Sequence, residues 1–381
     1  MHRLLGVILG SAALATALPV SAQSDPFSSV DASVSASMQS FHIPGGALAV
    51  ARDGTLLHTR GFGYADAAGH HPITAQSLFL NASLSKPLTA MAIFKLIEAH
   101  KLSLDNKAYS FFKDLSQPRG TTRDPRLDDI TVRDLLDHAG GWDRTVSGEP
   151  AGKTAQIVAS LGLTSEVTPL DAIHFSLGVP LDFAPGTRSA YSNFGFIMLG
   201  QIVERVSGQT YERFVRDNVL LAAGVGDGGL MHAPHAFPGE VQRYDQKGNP
   251  LPFGSPLVGT AAGGWVLSPA DWMKILNALQ HGKILTQASL DAMFAPPYAP
   301  LRARPNGSAF GLGWDAVARV NGQLTFSKDG GSPGVHTWVE HRADGLDDAL
   351  FFNGGEGDVS LILKAKRALD LALDRLALGA K

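Results

Sequence analysis

GALAVARDGTLLHTRGF, residues 46–62, is the stretch on which the reading of the fold turns. Gly46 to Ala51 and Leu56 to Phe62 read as strands, and Asp53-Gly54 between them is a strong signal for a tight hairpin turn. Strand patterns then vanish until late in the chain. They return as Leu324–Ser327, Val335–His341 and Ala349–Phe352, with turns expected at Gly330-Gly331 and Asp344-Gly345. Strands at both ends imply one antiparallel sheet assembled from N- and C-terminal segments. Helical spacing over 25–41 (Val30, Val34, Met38) and a long amphipathic pattern over 359–378 supply terminal helices to cover it. Between about residues 80 and 255 helical patterns dominate, among them 131–138, stopped by Gly140-Gly141, and 194–206, stopped by Ser207-Gly208. The expected fold class is therefore α/β (α+β). A sheet lobe of about 23–80 and 255–381 carries an inserted, mostly helical lobe of about 81–254, with a groove between them.

Composition narrows the function. A formal charge of -3 and the lack of any basic or aromatic-basic run argue against nucleic acid as a partner. There is no cysteine, which excludes disulfides, thiol nucleophiles and thiolate metal sites. Residues 1–22 read as a cleavable signal peptide: His2 and Arg3, an apolar run from Leu4 to Leu18, then Val20 and Ala22 in small-residue cleavage positions. The expectation is a mature chain over 23–381 that is periplasmic or secreted, with no stable membrane insertion. Oligomeric state is left open.

Three short patterns could carry chemistry. In NASLSKPLTAMAIFKLIE (81–98), Ser83 and Lys86 lie one turn apart at the start of a helix that is apolar nearly all round. A lysine buried there is costly unless paired or working. Ser110/Lys113 has the same spacing without a comparable setting and reads as ordinary structure. Tyr191-Ser192-Asn193 precedes a helix, where Ser192 or Asn193 can equally be a cap. Lys328-Asp329-Gly330 ends a strand pattern before Gly331, and Lys328 can equally be an exposed edge lysine.

The order S-x-x-K, Y-x-N, K-x-G on helix start, loop and strand resembles the serine β-lactamase and penicillin-binding-protein superfamily. The flanks resemble its class C β-lactamase and family VIII carboxylesterase branch: IPGGALAVARDGTLLHTRGFGYAD, ITVRDLLDHAGG, FAPGTRSAYSNFGFIMLGQIVE and AAGGWVLSPAD. The resemblance covers nearly the whole mature chain. It implies Ser83 as acylated nucleophile, rather than Ser85, with Lys86 and Tyr191 sharing the proton transfers. Asn193 would position Lys86 and substrate. Lys328 would bind substrate and keep Tyr191 acidic, and Gly330 would belong to the substrate-binding strand. The backbone N–H groups of Ser83 and Gly331 would form the oxyanion hole.

The implied partner is a small-molecule ester, amide or β-lactam, with no cofactor and no metal. Asp329 departs from the family pattern, where a small hydroxyl residue often stands, and shifts the expectation towards an esterase or amidase. The alternatives are a β-lactamase or D-Ala-D-Ala carboxypeptidase, and, from another class, a non-catalytic penicillin-binding or sensor protein.

Two other patterns read as structure. Gly330-Gly331-Ser332-Pro333-Gly334 matches the nucleophile elbow G-x-S-x-G, but a strand pattern follows it instead of a helix. His70-His71 and His232/His235 lack a nearby carboxylate partner for a metal, and His138 reads as packing at a helix end.

Overall fold

The computed structural model describes residues 25–66, 68–231, 236–253, 261–295, 309–355 and 360–379. Strand β1 (Gly46–Arg52) turns into β2 (Thr55–Phe62) through Asp53 and Gly54. Their φ angles of 49° and 74° are the positive pair that a two-residue hairpin requires. On its other side β1 pairs antiparallel with β10 (Leu346–Phe352), Gly46 opposite Phe352 and Arg52 opposite Leu346. One sheet thus joins the two ends of the chain. Its order is β2-β1-β10-β9-β8-β7-β6, with β6 Ala309–Gly311, β7 Trp314–Val320, β8 Gln323–Ser332 and β9 Val335–His341. A second, small sheet has the order β3-β5-β4, from Phe79–Leu80, Trp265–Leu267 and Gly229–Leu230.

Helices cover both faces of the large sheet. Leu48, Val50, Leu350 and Phe352 pack under α1 (Ser28–Ser40) and α10 (Ser360–Gly379), against Val34, Ile362 and Leu369. Ala47, Ala49, Ala51 and Phe351 face the larger core, which holds α2 (Ser85–Glu98) and α8 (Pro269–Gln280). Burial on both faces is why β1 reads as an unbroken apolar run instead of an alternating one. The helical side adds α3 (Val132–Leu136), α4 (Thr154–Leu161), α5 (Pro169–Ser176), α6 (Asn193–Ser207), α7 (Tyr211–Val215) and α9 (Gln287–Met293). Among the described residues no helix is long and apolar enough to cross a membrane.

The pair Gly330-Gly331 is not the expected turn. Both residues continue β8, and the reversal falls at Pro333-Gly334, where Gly334 has φ 70°. Glycine serves another purpose at 330. A Cβ there would stand 2.3 Å from Asn81 O, 2.3 Å from Thr337 Oγ1 and 3.2 Å from Ser83 N, so only glycine lets β8 lie against the segment that carries Ser83. The strands β6 and β7 complete the sheet beyond the region in which the sequence shows a strand pattern. Gly330→Ala should cost roughly 1–3 kcal/mol through this forced displacement. It should also slow covalent labelling of Ser83 by a fluorophosphonate, because the shift moves Ser83 itself. Thermal melting and labelling rate measured on the same preparation check both effects.

Candidate active site

Ser83 sits in a single 3-10 turn, Ala82–Leu84, that runs directly into α2. Ala82 adopts φ 47°, a left-handed conformation that is uncommon outside glycine, asparagine and aspartate. The segment is held there from three directions. Asn81 N–H donates to Trp265 O at 2.7 Å, and its side-chain amide donates to Phe79 O (2.8 Å) and Leu267 O (3.0 Å). Thr337 Oγ1 donates to Asn81 O at 2.9 Å. Ser85 Oγ accepts the N–H of Trp265 at 3.0 Å, which gives this second serine a structural role. Pro87 falls within the first turn of α2, where its missing N–H has no intrahelical partner to lose.

Around Ser83 the structure gathers residues from across the chain. Lys86 Nζ is 3.0 Å from Ser83 Oγ, 2.8 Å from Asn193 Oδ1 and 2.8 Å from Ala262 O. Tyr191 OH donates to Ser83 Oγ at 2.7 Å. Ser192, in contact with neither, caps α6 by accepting Gly195 N–H at 3.1 Å, and so orients the residues on either side of it. His138 packs behind the tyrosine, rings stacked with centroids 4.4 Å apart, and its Nδ1 accepts the N–H of Ser192 at 3.1 Å.

The charge states follow from burial. Lys86 is wholly buried with no carboxylate against it. Burial first, and the nearby Lys328 second, push its pKa well below the ordinary 10.5. A neutral amine has two N–H groups and one lone pair. The carbonyl oxygens of Asn193 and Ala262 take the two donors, which leaves the lone pair for the hydroxyl of Ser83. Burial likewise pushes Tyr191 up to about 12. This corrects the expectation that Lys328 holds the tyrosine in its acidic range: Lys328 does lower it, but less than burial raises it, and Asp315 opposes Lys328. The phenol is therefore a donor at rest.

Lys328 differs in kind from Lys86. It lies 2.5 Å from Asp315 Oδ2 and 2.6 Å from Asp329 O. Burial opposes its charge, but Asp315, Tyr191 and Asp329 outweigh that and raise its pKa. Asp315, on β7, is brought down to about 2, Lys328 overcoming the effect of burial. Asp329 is pushed up to about 7, by burial first, with Asp315 adding to the effect and Lys328 opposing it. The carboxylate that neutralises Lys328 is thus Asp315, for which the sequence carries no signal. Asp329 instead shares a hydrogen bond with Asp315.

A cavity of about 240 Å³ opens in front of Ser83, lined by Asn193, Ala262, Gly331, Ser332 and Glu149 among others. Gly331 has nothing within 4 Å of where a Cβ would stand, so its backbone faces open space. Glu149 and the carbonyl of Ala262 are further participants that pattern reading did not single out. A larger hollow of about 770 Å³ lies between α9 and β7–β8 and touches none of these residues. Ser110 stands apart on the surface, its hydroxyl bonded to Lys107 O at 2.6 Å. His71 pairs with Asp66 at 2.7 Å on an exposed loop, and His232 and His235 lie outside the described residues. Among the described residues one trio of carboxylates, Glu340, Asp348 and Asp370, is spaced to hold a metal. The ammonium of Lys366 occupies its centre, 2.6 Å from Glu340 Oε2 and 3.3 Å from Asp348 Oδ2, so the trio reads as an ion cluster between sheet and α10.

Fold and cluster together define a serine hydrolase. Residues 30–370 match the family model described as Beta-lactamase, and the chain belongs to that family. It is 30% identical over 304 residues to a protein described as a probable fimbrial assembly protein FimD, serogroup H1, of Dichelobacter nodosus, over 75% of this chain and 69% of that one. It is 25% identical to esterase EstB of Burkholderia gladioli, over 88% of this chain and 93% of the esterase. Among solved structures, D-amino acid amidase of Ochrobactrum anthropi SV3 superposes with a TM-score of 0.72 at 23% identity, over 94% of this chain and all (100%) of the amidase. At that identity the likeness is one of fold.

The pH dependence of labelling tests the charge states. The rate at which a fluorophosphonate phosphonylates Ser83, with loss of fluoride, should rise with pH along one limb set by deprotonation of Lys86, centred well below 10.5. No fall is expected until Tyr191 ionises near 12. Asp315 raises both groups, so Asp315→Asn should move both limbs to lower pH. An acid limb that moves up in this variant would contradict the assignment.

Proposed function

We propose that the protein cleaves an ester or amide through a covalent acyl-serine intermediate, and that its substrates are those of a carboxylesterase. The observation that carries the reading is the pair of contacts on Ser83 Oγ, with Lys86 Nζ at 3.0 Å and the Tyr191 phenol at 2.7 Å. Binding alone has no need of an activated hydroxyl, which speaks against a sensor or penicillin-binding protein without turnover.

The steps follow from the groups present. Lys86 takes the proton of Ser83 as Oγ bonds to the substrate carbonyl carbon. The oxygen that becomes negative is met by the N–H groups of Ser83 and Gly331, one such donor being worth roughly 3–4 kcal/mol. The bond to the leaving alkoxide or amine breaks as that group takes the Tyr191 proton, and Lys86 returns a proton to the phenolate. Water then attacks the acyl-serine by the same transfers reversed.

The charge of Lys328 supports an esterase over a β-lactamase or carboxypeptidase. Asp315 is paired with it at 2.5 Å, so a substrate carboxylate would find a neutralised lysine. One observation favours the opposite: the guanidinium of the exposed Arg144 stands 5.0 Å from the Tyr191 ring centroid, bringing a positive charge near the site. A panel of p-nitrophenyl acetate and butyrate, a chromogenic cephalosporin and a D-Ala-D-Ala peptide decides between them. The short esters should be turned over fastest, and Ser83→Ala should abolish all turnover. Unchanged activity in that variant would sink the mechanism. No turnover of any substrate and no Ser83 adduct would favour the non-catalytic protein.

We also propose export by the leader over 1–22. Intact mass of protein recovered from the periplasm or medium should then correspond to a chain beginning at Gln23.

A further inference from the structure

The acyl-transfer scheme makes no use of the hollow between α9 and β7–β8. Its volume, about 770 Å³, is that of a pocket for a small molecule. The walls are apolar, formed by Leu279, Leu290, Phe294, Val317, Leu324 and Phe326, with Phe294 stacked on Phe326 at 4.5 Å. One end is polar and closely specified. Asp347, buried on β10, accepts from the imidazole Nδ1 of His341 at 2.8 Å and from the side-chain amide nitrogen of Gln280 at 3.0 and 3.1 Å. A carboxylate accepts and does not donate. The imidazole hydrogen therefore lies on Nδ1, and the amide oxygen of Gln280 is turned away from Asp347. His341 and Gln280 both line the hollow, and Nε2 of His341 has no partner among the described residues. This end thus offers a guest two acceptors, Nε2 and Oε1.

Charge points the same way. Two carboxylates, Asp291 on the wall and Asp347 behind the imidazole, stand against one guanidinium, that of Arg319. Arg319 lies opposite Leu324, two positions along β8 from Phe326, which itself lies opposite His341. Its side chain is exposed at the rim, away from the two acceptors. The rings of Phe326 and His341 have centroids 5.2 Å apart, so a cation at Nε2 also meets an aromatic ring that would repel an anion. We propose that the hollow is a second binding site, separate from the cavity at Ser83, for a primary amine with an aryl or alkyl tail. The ammonium donates to His341 Nε2 and Gln280 Oε1, and the tail lies along Phe294, Leu324 and Phe326.

Four probes of one shape test this: 3-phenylpropylamine, 3-phenylpropan-1-ol, 3-phenylpropionate and propylbenzene. Each is titrated calorimetrically into the full chain at about pH 8, where the amine is protonated. The amine should bind at least about tenfold more tightly than the alcohol or the hydrocarbon, and the carboxylate most weakly. In His341→Phe the amine should lose at least about fivefold while propylbenzene stays within about twofold. Leu324→Trp fills the hollow from a half-buried position and should abolish binding of all four. Thermal melting close to that of the wild-type chain shows that each variant is folded, and the wild-type ranking tests the proposal without either of them. Equal affinities across the series, tightest binding of the carboxylate, or amine binding that survives Leu324→Trp overturns it. So does a chain that binds none of the four, and a dimer in sedimentation would then give the apolar walls to a second copy of the chain.

Discussion

The site depends on one buried amine. An ammonium buried without a carboxylate costs several kcal/mol, and Lys86 has two carbonyl oxygens and a hydroxyl around it instead. The cheapest state is the neutral amine, which is also the state in which it can take a proton. The same contacts tie together three distant segments: the start of α2, the start of α6 and the strand approach at Ala262. Burial that would be a defect in an ordinary core thus becomes the source of basicity.

The second lysine shows how little residue type decides. Lys86 and Lys328 are both fully buried and both near the ring of Tyr191, at 4.9 and 5.5 Å. Asp315 makes the difference, holding Lys328 charged while Lys86 is left neutral. The arrangement puts a fixed ion pair beside a neutral proton acceptor and a neutral phenol. Charge that develops in the reaction therefore meets groups already oriented, with little reorganisation to supply.

Much of this was legible along the chain. The hairpin at Asp53-Gly54, the apolar helix after Ser83 and the strand over 335–341 all carry local signals: turn chemistry, periodicity and β-branched or aromatic residues. Gly330 was misread because a glycine pair signals a turn far more often than a strand forced against another backbone. The close approach of Asn81 is invisible 249 positions away in sequence. The strand β7 escaped because WDAVARV (314–320) holds two charges, Asp315 and Arg319, and two alanines where a strand pattern wants alternation, and with it went Asp315.

By itself the sequence determined which chemical groups the protein has to work with, and their order: a serine and lysine one helical turn apart, a tyrosine before a capped helix, a lysine on a strand. Those are local facts, set by spacing and by the period of helix and strand. Tertiary structure alone decided their protonation. A pKa in a protein depends on how completely a group leaves water and on which charges stand within a few ångströms, and for Lys86, Tyr191, Lys328 and Asp315 those neighbours come from segments far apart in the chain.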